Sequence, residues 1–326
     1  MNVSEPRPVT PAVIAIVGPT ASGKSAVGLS LALALKGEIV SADSMQVYTG
    51  MDIGTAKPSP EEQALVRHHM VDVARPDELF SVARFQELAE KAIADIWRRG
   101  RLPVVAGGTG LYIDALLRGF LFPDQGRNAK VRAQLEAQAG ELGVGALHRR
   151  LCDIDPEAAS KIHPNDLRRI VRALEVHSVT GSPISELQRK HQGEPKYRAR
   201  LFGLTMSRDL LAKRINARVD LMVEQGLLEE VRTLLGAGYG PELTSMQAIG
   251  YKEFAAYLRG AAALDEALEQ LKAGTRRYAK RQMTWFRRNR DITWLDVGDF
   301  GGPDHIAQYI IHSNAAWLEE VGYELD

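Results

Sequence analysis

The 326-residue chain has room for about two domains at roughly 150 residues each, and its 45% hydrophobic and 25% charged content excludes disorder, collagen and coiled coil. Lys plus Arg and Asp plus Glu both total 41, so net charge alone implies no polyanionic partner. No apolar run nears the roughly 18 residues that span a bilayer; MNVSEPRPVTP at the start is not a secretory signal, and the lone Cys152 rules out an internal disulfide and fits a reducing cytosol.

AVIAIVG (12–18) reads as a short buried strand, β-branched and ended by glycine. A helix is expected from Ser25 to Lys36, stopped by Gly37, followed by a second strand at EIVSAD (38–43) and a third at HMVDV (69–73). Ser81 is a good N-cap for a helix whose Val82, Phe85, Leu88, Ala89, Ala92, Ile93, Ile96 and Trp97 share one face, with Gly100 as its end. LPVVAGG (102–108) is a further strand and TGLYIDALLRG a further helix. Strands alternating with helices indicate βαβ units and a parallel sheet. After Gly119 the chain turns polar and helical, with no strand until RLFGLTM (200–206), which could complete the sheet. Residues 123–196 are therefore expected to be a helical insertion into an α/β core formed by 1–122 and 197–326. Residues 209–290 read as helical, and the acidic tail as ending in a helix.

Charge is unevenly spread. Residues 161–218 hold 13 basic and 5 acidic side chains, and residues 272–290 hold 8 basic and none acidic. Two such stretches in a neutral protein are an electrostatic footprint for phosphates, although solvated helix faces give the same pattern.

Gly18-Pro19-Thr20-Ala21-Ser22-Gly23-Lys24-Ser25 fits G-x-x-x-x-G-K-[ST] between a strand and a helix. In such a loop the glycines let backbone N–H groups turn inward onto phosphate oxygens, helped by the helix N-terminus. Lys24 reaches the terminal phosphate and the Ser25 hydroxyl can ligate Mg²⁺. The motif implies a di- or triphosphate without specifying a nucleotide. Asp43 and Asp72 are candidate carboxylates. Asp43 ends its strand and should lie near the loop, with a turn-starting role as the alternative; Asp72 reads as structural. His68 and His69 are adjacent on a strand and point to opposite faces, so they do not easily share a metal.

These blocks resemble the tRNA dimethylallyltransferase (isopentenyltransferase) family. GPTASGKS (18–25), SADSMQVYTGMDIGTAKPS (41–59), HHMVDV (68–73), FSVARFQ (80–86), VVAGGTGLYIDALLRG (104–119), HPNDLRRIVRALEV (163–176), GLLEEV (226–231), AIGYKEF (248–254) and RRYAKRQMTWFR (276–287) follow in the family's order. The resemblance implies a P-loop NTPase-like parallel sheet flanked by helices. It also implies transfer of a dimethylallyl group from dimethylallyl diphosphate to N6 of the adenosine 3′ of a tRNA anticodon. Gly18 to Ser25 would bind the diphosphate, with Mg²⁺ on Ser25. Asp43 would act as general base, which suits a weakly nucleophilic amine. Thr109 would donate to the leaving oxygen, a helix N-cap being its bland alternative, and Arg218 would offset charge. The tRNA would be met by Asp43, Ser44, Met45, Gln46, Thr109 and Arg132, then by Arg168, Arg169, Ile170, Val171 and Arg172. Gln247, Gly250, Tyr251 and Lys252 would follow, with Lys280, Arg281, Gln282, Trp285 and Arg287 last. Ala279, Met283 and Phe286 are read as core, Arg277, Arg281 and Arg288 as a phosphate-facing side, and Tyr278 and Trp285 as packing. A cytoplasmic monomer without membrane contact is expected. The alternatives are a P-loop kinase of a nucleotide or small metabolite, a prenyltransferase on free AMP or ADP, and an RNA-binding module with a vestigial P-loop.

Overall fold

The computed structural model describes residues 10–118, 128–190 and 196–323. It divides into two compact units, one made of Met1–Leu117 with Lys196–Asp326 and one of Arg118–Pro195. The expected amino-terminal edge of the insertion, 122/123, lies outside the described residues, and Lys196 belongs with the first unit, where its ammonium meets Glu90 at 2.7 Å.

The first unit is built on six parallel strands in the order β3-β2-β4-β1-β5-β6. They are β1 (Ala12–Val17), β2 (Glu38–Ser41), β3 (His68–His69), β4 (Pro103–Gly107), β5 (Arg198–Thr205) and β6 (Ile292–Asp296). β1 is central because every one of its residues is apolar and fully buried. Its alternation sends Ala12, Ile14 and Ile16 to one core and Val13, Ala15 and Val17 to the other. Helices therefore cover both faces, as parallel sheets require. α1 (Lys24–Ala34) follows β1, the six-residue α2 (Pro60–Leu65) precedes β3, and α3 (Val82–Arg98) and α4 (Gly110–Leu117) flank β4. Ser81 caps α3 by accepting from Arg84 N–H at 3.1 Å, and α3 buries Phe85, Ala89, Ile93 and Ile96.

The second unit is helical: α5 (Ala129–Leu142), α6 (Val144–Ile154), α7 (Pro156–Lys161), α8 (Leu167–Thr180) and α9 (Ile184–Lys190). Leu135, Leu147, Leu151, Ile170, Val171 and Leu174 form its own core. Returning to the first unit, α10 (Arg208–Glu224), α11 (Leu227–Gly236), α12 (Tyr251–Leu258) and α13 (Leu264–Phe286) pack around Val47, Tyr48 and Met51. α14 (Pro303–Ser313) and α15 (Ala315–Glu320) close the chain against the α1 side of the sheet. Among the described residues, no helix is long and apolar enough to cross a membrane.

Several boundaries differ from the sequence reading. α1 starts at Lys24 and ends at Ala34, and Lys36 takes the left-handed turn (φ 48°) before Gly37. β2 stops at Ser41, so Asp43 lies beyond the strand. The expected strand 69–73 shrinks to His68–His69, because Met70 (φ 66°) and Asp72 (φ 54°) are left-handed. β6 went unread: it is an edge strand of five residues, two of them buried.

Glu38 opens β2 with its side chain 2% exposed, bonded to Arg99 and lying 2.7 Å from His69 Nε2. Hydrogen bonding to Arg99 is the main reason its carboxyl falls to about 2, against an opposing penalty from burial. A depressed carboxylate stabilises the fold above its unfolded value of 4.5, and that contribution is lost as pH falls toward 2. Glu38→Ala leaves the partly exposed Arg99 with Asp95 alone and removes the partner of His69, so we expect a loss of about 1–3 kcal/mol at pH 7. Urea unfolding across pH 2–7 should show the gap to wild type closing only at the acid end.

Candidate active site

The P-loop joins β1 to α1 with two strained glycines and one strained alanine: Gly18 (φ 143°), Ala21 (φ 63°) and Gly23 (φ 94°). At Gly18 a Cβ would meet the Leu204 carbonyl oxygen of β5 at 2.8 Å, so the loop leaves the sheet only because no side chain is there. Gly23 is the N-cap of α1 and offers no side-chain acceptor, which leaves first-turn N–H groups open to an anion. The Ser22 hydroxyl is fully buried and without a hydrogen-bond partner. Lys24 Nζ donates to Pro19 O at 2.6 Å. Burial, with help from Arg218 and against the opposing pull of Asp43, lowers its ammonium to about 7. A buried lysine so lowered marks a place waiting for negative charge.

Two cavities meet at this loop. The smaller, about 70 Å³, is lined by Thr20, Lys24, Ser25, Asp43, Arg218 and Gln282 among others. The larger, about 320 Å³, carries Ser44 and Met45 on one side and the apolar Ile215, Val219, Met222, Leu227 and Leu271 on another. Thr20, Asp43, Thr55, Arg218 and Tyr278 line both. The site is thus a polar recess holding Lys24 and Arg218 beside a larger cavity of mixed lining with one apolar wall, and Asp43 lines both. Burial lowers the Arg218 guanidinium and Asp43 counteracts it.

Asp43 does start a turn, since Oδ1 accepts from Met45 N–H at 2.8 Å. The turn fixes a carboxylate that also faces both cavities, so the two readings of Asp43 coexist. Thr109 stands at the head of α4, but its hydroxyl oxygen accepts from Ser44 N–H at 3.0 Å. Its hydroxyl is also hydrogen-bonded to Tyr278, whose phenol burial and Asp43 push up to about 12. Thr109 lies just behind the cavity wall that Ser44 forms. Asp72 is structural: it pairs with Lys57 at 2.6 Å. His68 and His69 bond separately, to Val66 O and Glu38. Among the described residues no cluster of three His, Cys, Asp or Glu is placed to hold a metal.

The expected tRNA-contacting segments divide by exposure. Arg168, Arg169, Gln247, Lys252, Lys280, Arg281 and Arg287 are exposed. Ile170 and Val171 are core residues of the second unit, because consecutive helix positions sweep every face. Arg132 and Arg172 pair with buried Glu175 at 2.9 and 3.1 Å. Tyr251 is buried and donates its hydroxyl to Glu230 at 2.6 Å, and buried Gly250 donates its N–H to Glu253. Gln46 is buried and satisfied by Ser41 and by the Thr55 and Ala56 carbonyls. Trp285 donates to Asp114 at 2.8 Å, and Gln282 is buried. These residues are thus engaged within the fold, while Gly250 and Tyr251 also line the larger cavity and Gln46 and Gln282 the smaller. Sequence reasoning missed Glu230, which accepts from the N–H groups of Asp52, Ile53 and Gly54. No local motif signals that long-range role.

A parallel sheet with helices on both faces and a phosphate-binding loop at the carboxyl end of its central strand defines a P-loop α/β protein. The sequence model of the family described as IPP transferase matches residues 46–289. The tRNA dimethylallyltransferase of Desulforudis audaxviator is 52% identical over 94% of this chain and 98% of its own length. That of Pelotomaculum thermopropionicum is 49% identical over 91% and 95%. The crystal structure of a full-length tRNA isopentenylpyrophosphate transferase from Bacillus halodurans aligns with TM-score 0.71 at 48% identity, covering 95% of this chain and 97% of that one. A eukaryotic dimethylallyltransferase described as acting on tRNA aligns with TM-score 0.81 at 31% identity, over 95% of this chain and 80% of its own. The chain belongs to the IPP transferase family.

Because burial lowers the Lys24 ammonium to about 7, a neutral amine becomes favoured in the free protein as pH rises past that value. A bound diphosphate favours the ammonium and raises that value, so binding above pH 7 takes up a proton. Calorimetry with inorganic diphosphate in two buffers of different ionisation enthalpy should show uptake approaching one proton at pH 8 and little at pH 6. Lys24→Met should abolish the difference.

Proposed function

We infer that the chain transfers a dimethylallyl group from dimethylallyl diphosphate to an adenosine N6 beside the anticodon of tRNA, releasing diphosphate. The observation that carries this is Asp43 lining both a small polar recess that holds Lys24 and Arg218 and a larger cavity with an apolar wall. The diphosphate suits the open N–H groups of the P-loop, the buried Ser22 hydroxyl and Lys24. The five-carbon tail suits the wall of Ile215, Val219, Met222, Leu227 and Leu271.

In the reaction the N6 lone pair attacks C1 of the dimethylallyl group, the C1–O bond breaks, and its electron pair leaves with diphosphate. Asp43 accepts the N6 proton and, held by Met45 N–H, keeps its orientation. Thr109 accepts from Ser44 N–H and donates its own proton to Ser44 Oγ at 3.4 Å, and turning that weakly held proton to the bridging oxygen would meet the charge that builds there. Lys24 and Arg218 balance the departing charge. The Ser25 hydroxyl is a hard oxygen donor in the same recess as Lys24, which fits Mg²⁺ together with diphosphate oxygens. Held there, the ion would neutralise leaving-group charge. The exposed Lys280 and Arg281 of α13, Arg287 just past its end, and the exposed Arg168 and Arg169 of α8 are the proposed grips on tRNA phosphates. A cytoplasmic monomer fits this role. The kinase alternative has no support among the relatives named above.

Labelled dimethylallyl diphosphate supplied with bulk tRNA or with AMP tests the reading: label should enter tRNA and not AMP. Asp43→Asn should slow single-turnover transfer on the order of 10²–10⁴-fold with tRNA affinity little changed. Thr109→Ala should lose nearer 10²-fold. A wild-type rate with poor tRNA binding in Asp43→Asn would make Asp43 a recognition residue instead.

Neutralising Arg168 and Arg169 together should lower the salt slope of tRNA binding by about two contacts and weaken all tRNAs alike. An unchanged slope in filter binding would place the tRNA elsewhere.

A further inference from the structure

β1 and β4 run side by side until Val17 meets Gly107, the last pair of their ladder. Beyond it the two chains diverge into the loops that carry the donor-gripping groups: the P-loop after β1, and Gly108-Thr109 after β4. Diverging strands leave backbone donors and acceptors without partners, and buried ones need a substitute. Gln282 supplies it from α13. Its Oε1 accepts from Thr20 N–H at 2.8 Å, and its Nε2 donates to Gly108 O at 2.9 Å. The side chain is buried, 5% exposed. Space for it exists only because residue 108 is glycine: a Cβ there would come within 2.1 Å of Nε2. Among side chains of this length only a carboxamide offers one acceptor and one donor without charge.

We infer that Gln282 is a positioning residue for the donor diphosphate, acting as an added rung that ties the entrance of the P-loop to the loop bearing Thr109. The inference rests on the diphosphate reading above. Gln282 and Thr20 both line the small recess with Lys24 and Ser25, so the rung holds the phosphate-binding N–H groups at a set distance from the Thr109 hydroxyl. Tyr278, one turn earlier on α13, bonds both Thr109 and Gln282 and completes the brace. α13 therefore presents exposed Lys280 and Arg281 to solvent, with Arg287 just past its end, and a buried carboxamide to the donor site. The family resemblance assigns Gln282 to tRNA; the geometry assigns it to the donor.

The two assignments separate in the absence of tRNA. Gln282→Met keeps length and packing but makes neither hydrogen bond. Calorimetry with inorganic diphosphate alone should show about tenfold weaker binding, the equivalent of two ordinary hydrogen bonds. tRNA affinity should stay within about twofold, and KM for the donor should rise with kcat falling less. Gln282→Glu gives an independent readout should the Met variant fold poorly. Its protonated carboxyl still donates to Gly108 O and accepts from Thr20, whereas the carboxylate sets a bare oxygen against that carbonyl. The ratio of its diphosphate affinity to wild type should therefore fall as pH rises from 5 to 8. Unchanged diphosphate binding in both variants, with or without weaker tRNA binding, overturns the inference. If the wild-type protein itself fails to bind inorganic diphosphate, the phosphate-site reading falls and takes this inference with it.

Discussion

An anion can be held by backbone only where N–H groups are left without partners, and the start of α1 is built to leave them so. Gly23 caps the helix with no side chain of its own, and Gly18 lets the loop pass tightly under the β5 carbonyl of Leu204. Open donors are costly in a folded chain, so the surrounding structure must keep them open. The fully buried β1 does this by anchoring one end of the loop in both cores at once. The depressed Lys24 is a further sign: a site prepared for an anion is electrostatically unfavourable to its own cations until that anion arrives.

The groups that face the anion are held by contacts distant in sequence. Glu230 of α11 takes three successive N–H groups at 52–54 and the Tyr251 hydroxyl. Lys57, with a side chain 4% exposed, binds Asp72 and the Tyr48 carbonyl. Gln46 ties the same loop to Ser41 of β2. The segment carrying Asp43, Ser44 and Met45 therefore has little freedom, although no strand or helix contains it. Such preorganisation is what lets a carboxylate act on a weak nucleophile without reorganising first.

The parts of this legible in sequence were those with local signatures. β1 shows as a β-branched run, α3 by its Ser81 cap and apolar face, and the P-loop by its glycine spacing. β6 has no such signature: Ile292 and Leu295 are buried while Thr293 and Asp296 face solvent, and five residues are too few for alternation to stand out. β3 was overextended because Met70, Val71 and Val73 read as strand, while the left-handed φ at Met70 and Asp72 depends on tertiary context. Family segments name stretches of chain and do not distinguish the faces of each helix. Thus Arg168 and Arg169 are exposed while Ile170 and Val171, next in the same segment, are buried.

Asp43 and Thr109 share a further property. Each admits two readings, one chemical and one structural, and in the folded chain each serves in a turn or helix start, Asp43 lining both cavities and Thr109 bonded to the Ser44 that lines the larger. The overlap has a physical cause. A general base or a hydroxyl donor must be fixed to a fraction of an ångström, and the nearest backbone N–H is the cheapest means of fixing a short side chain. Asp43 reaches the N–H two residues on and keeps a second carboxylate oxygen, while Thr109 takes the Ser44 N–H from the adjoining loop and gives its proton to Ser44 Oγ only at 3.4 Å. At such positions a structural explanation for a polar residue does not count against a catalytic one, because the hydrogen bond that satisfies the first supplies the orientation the second needs.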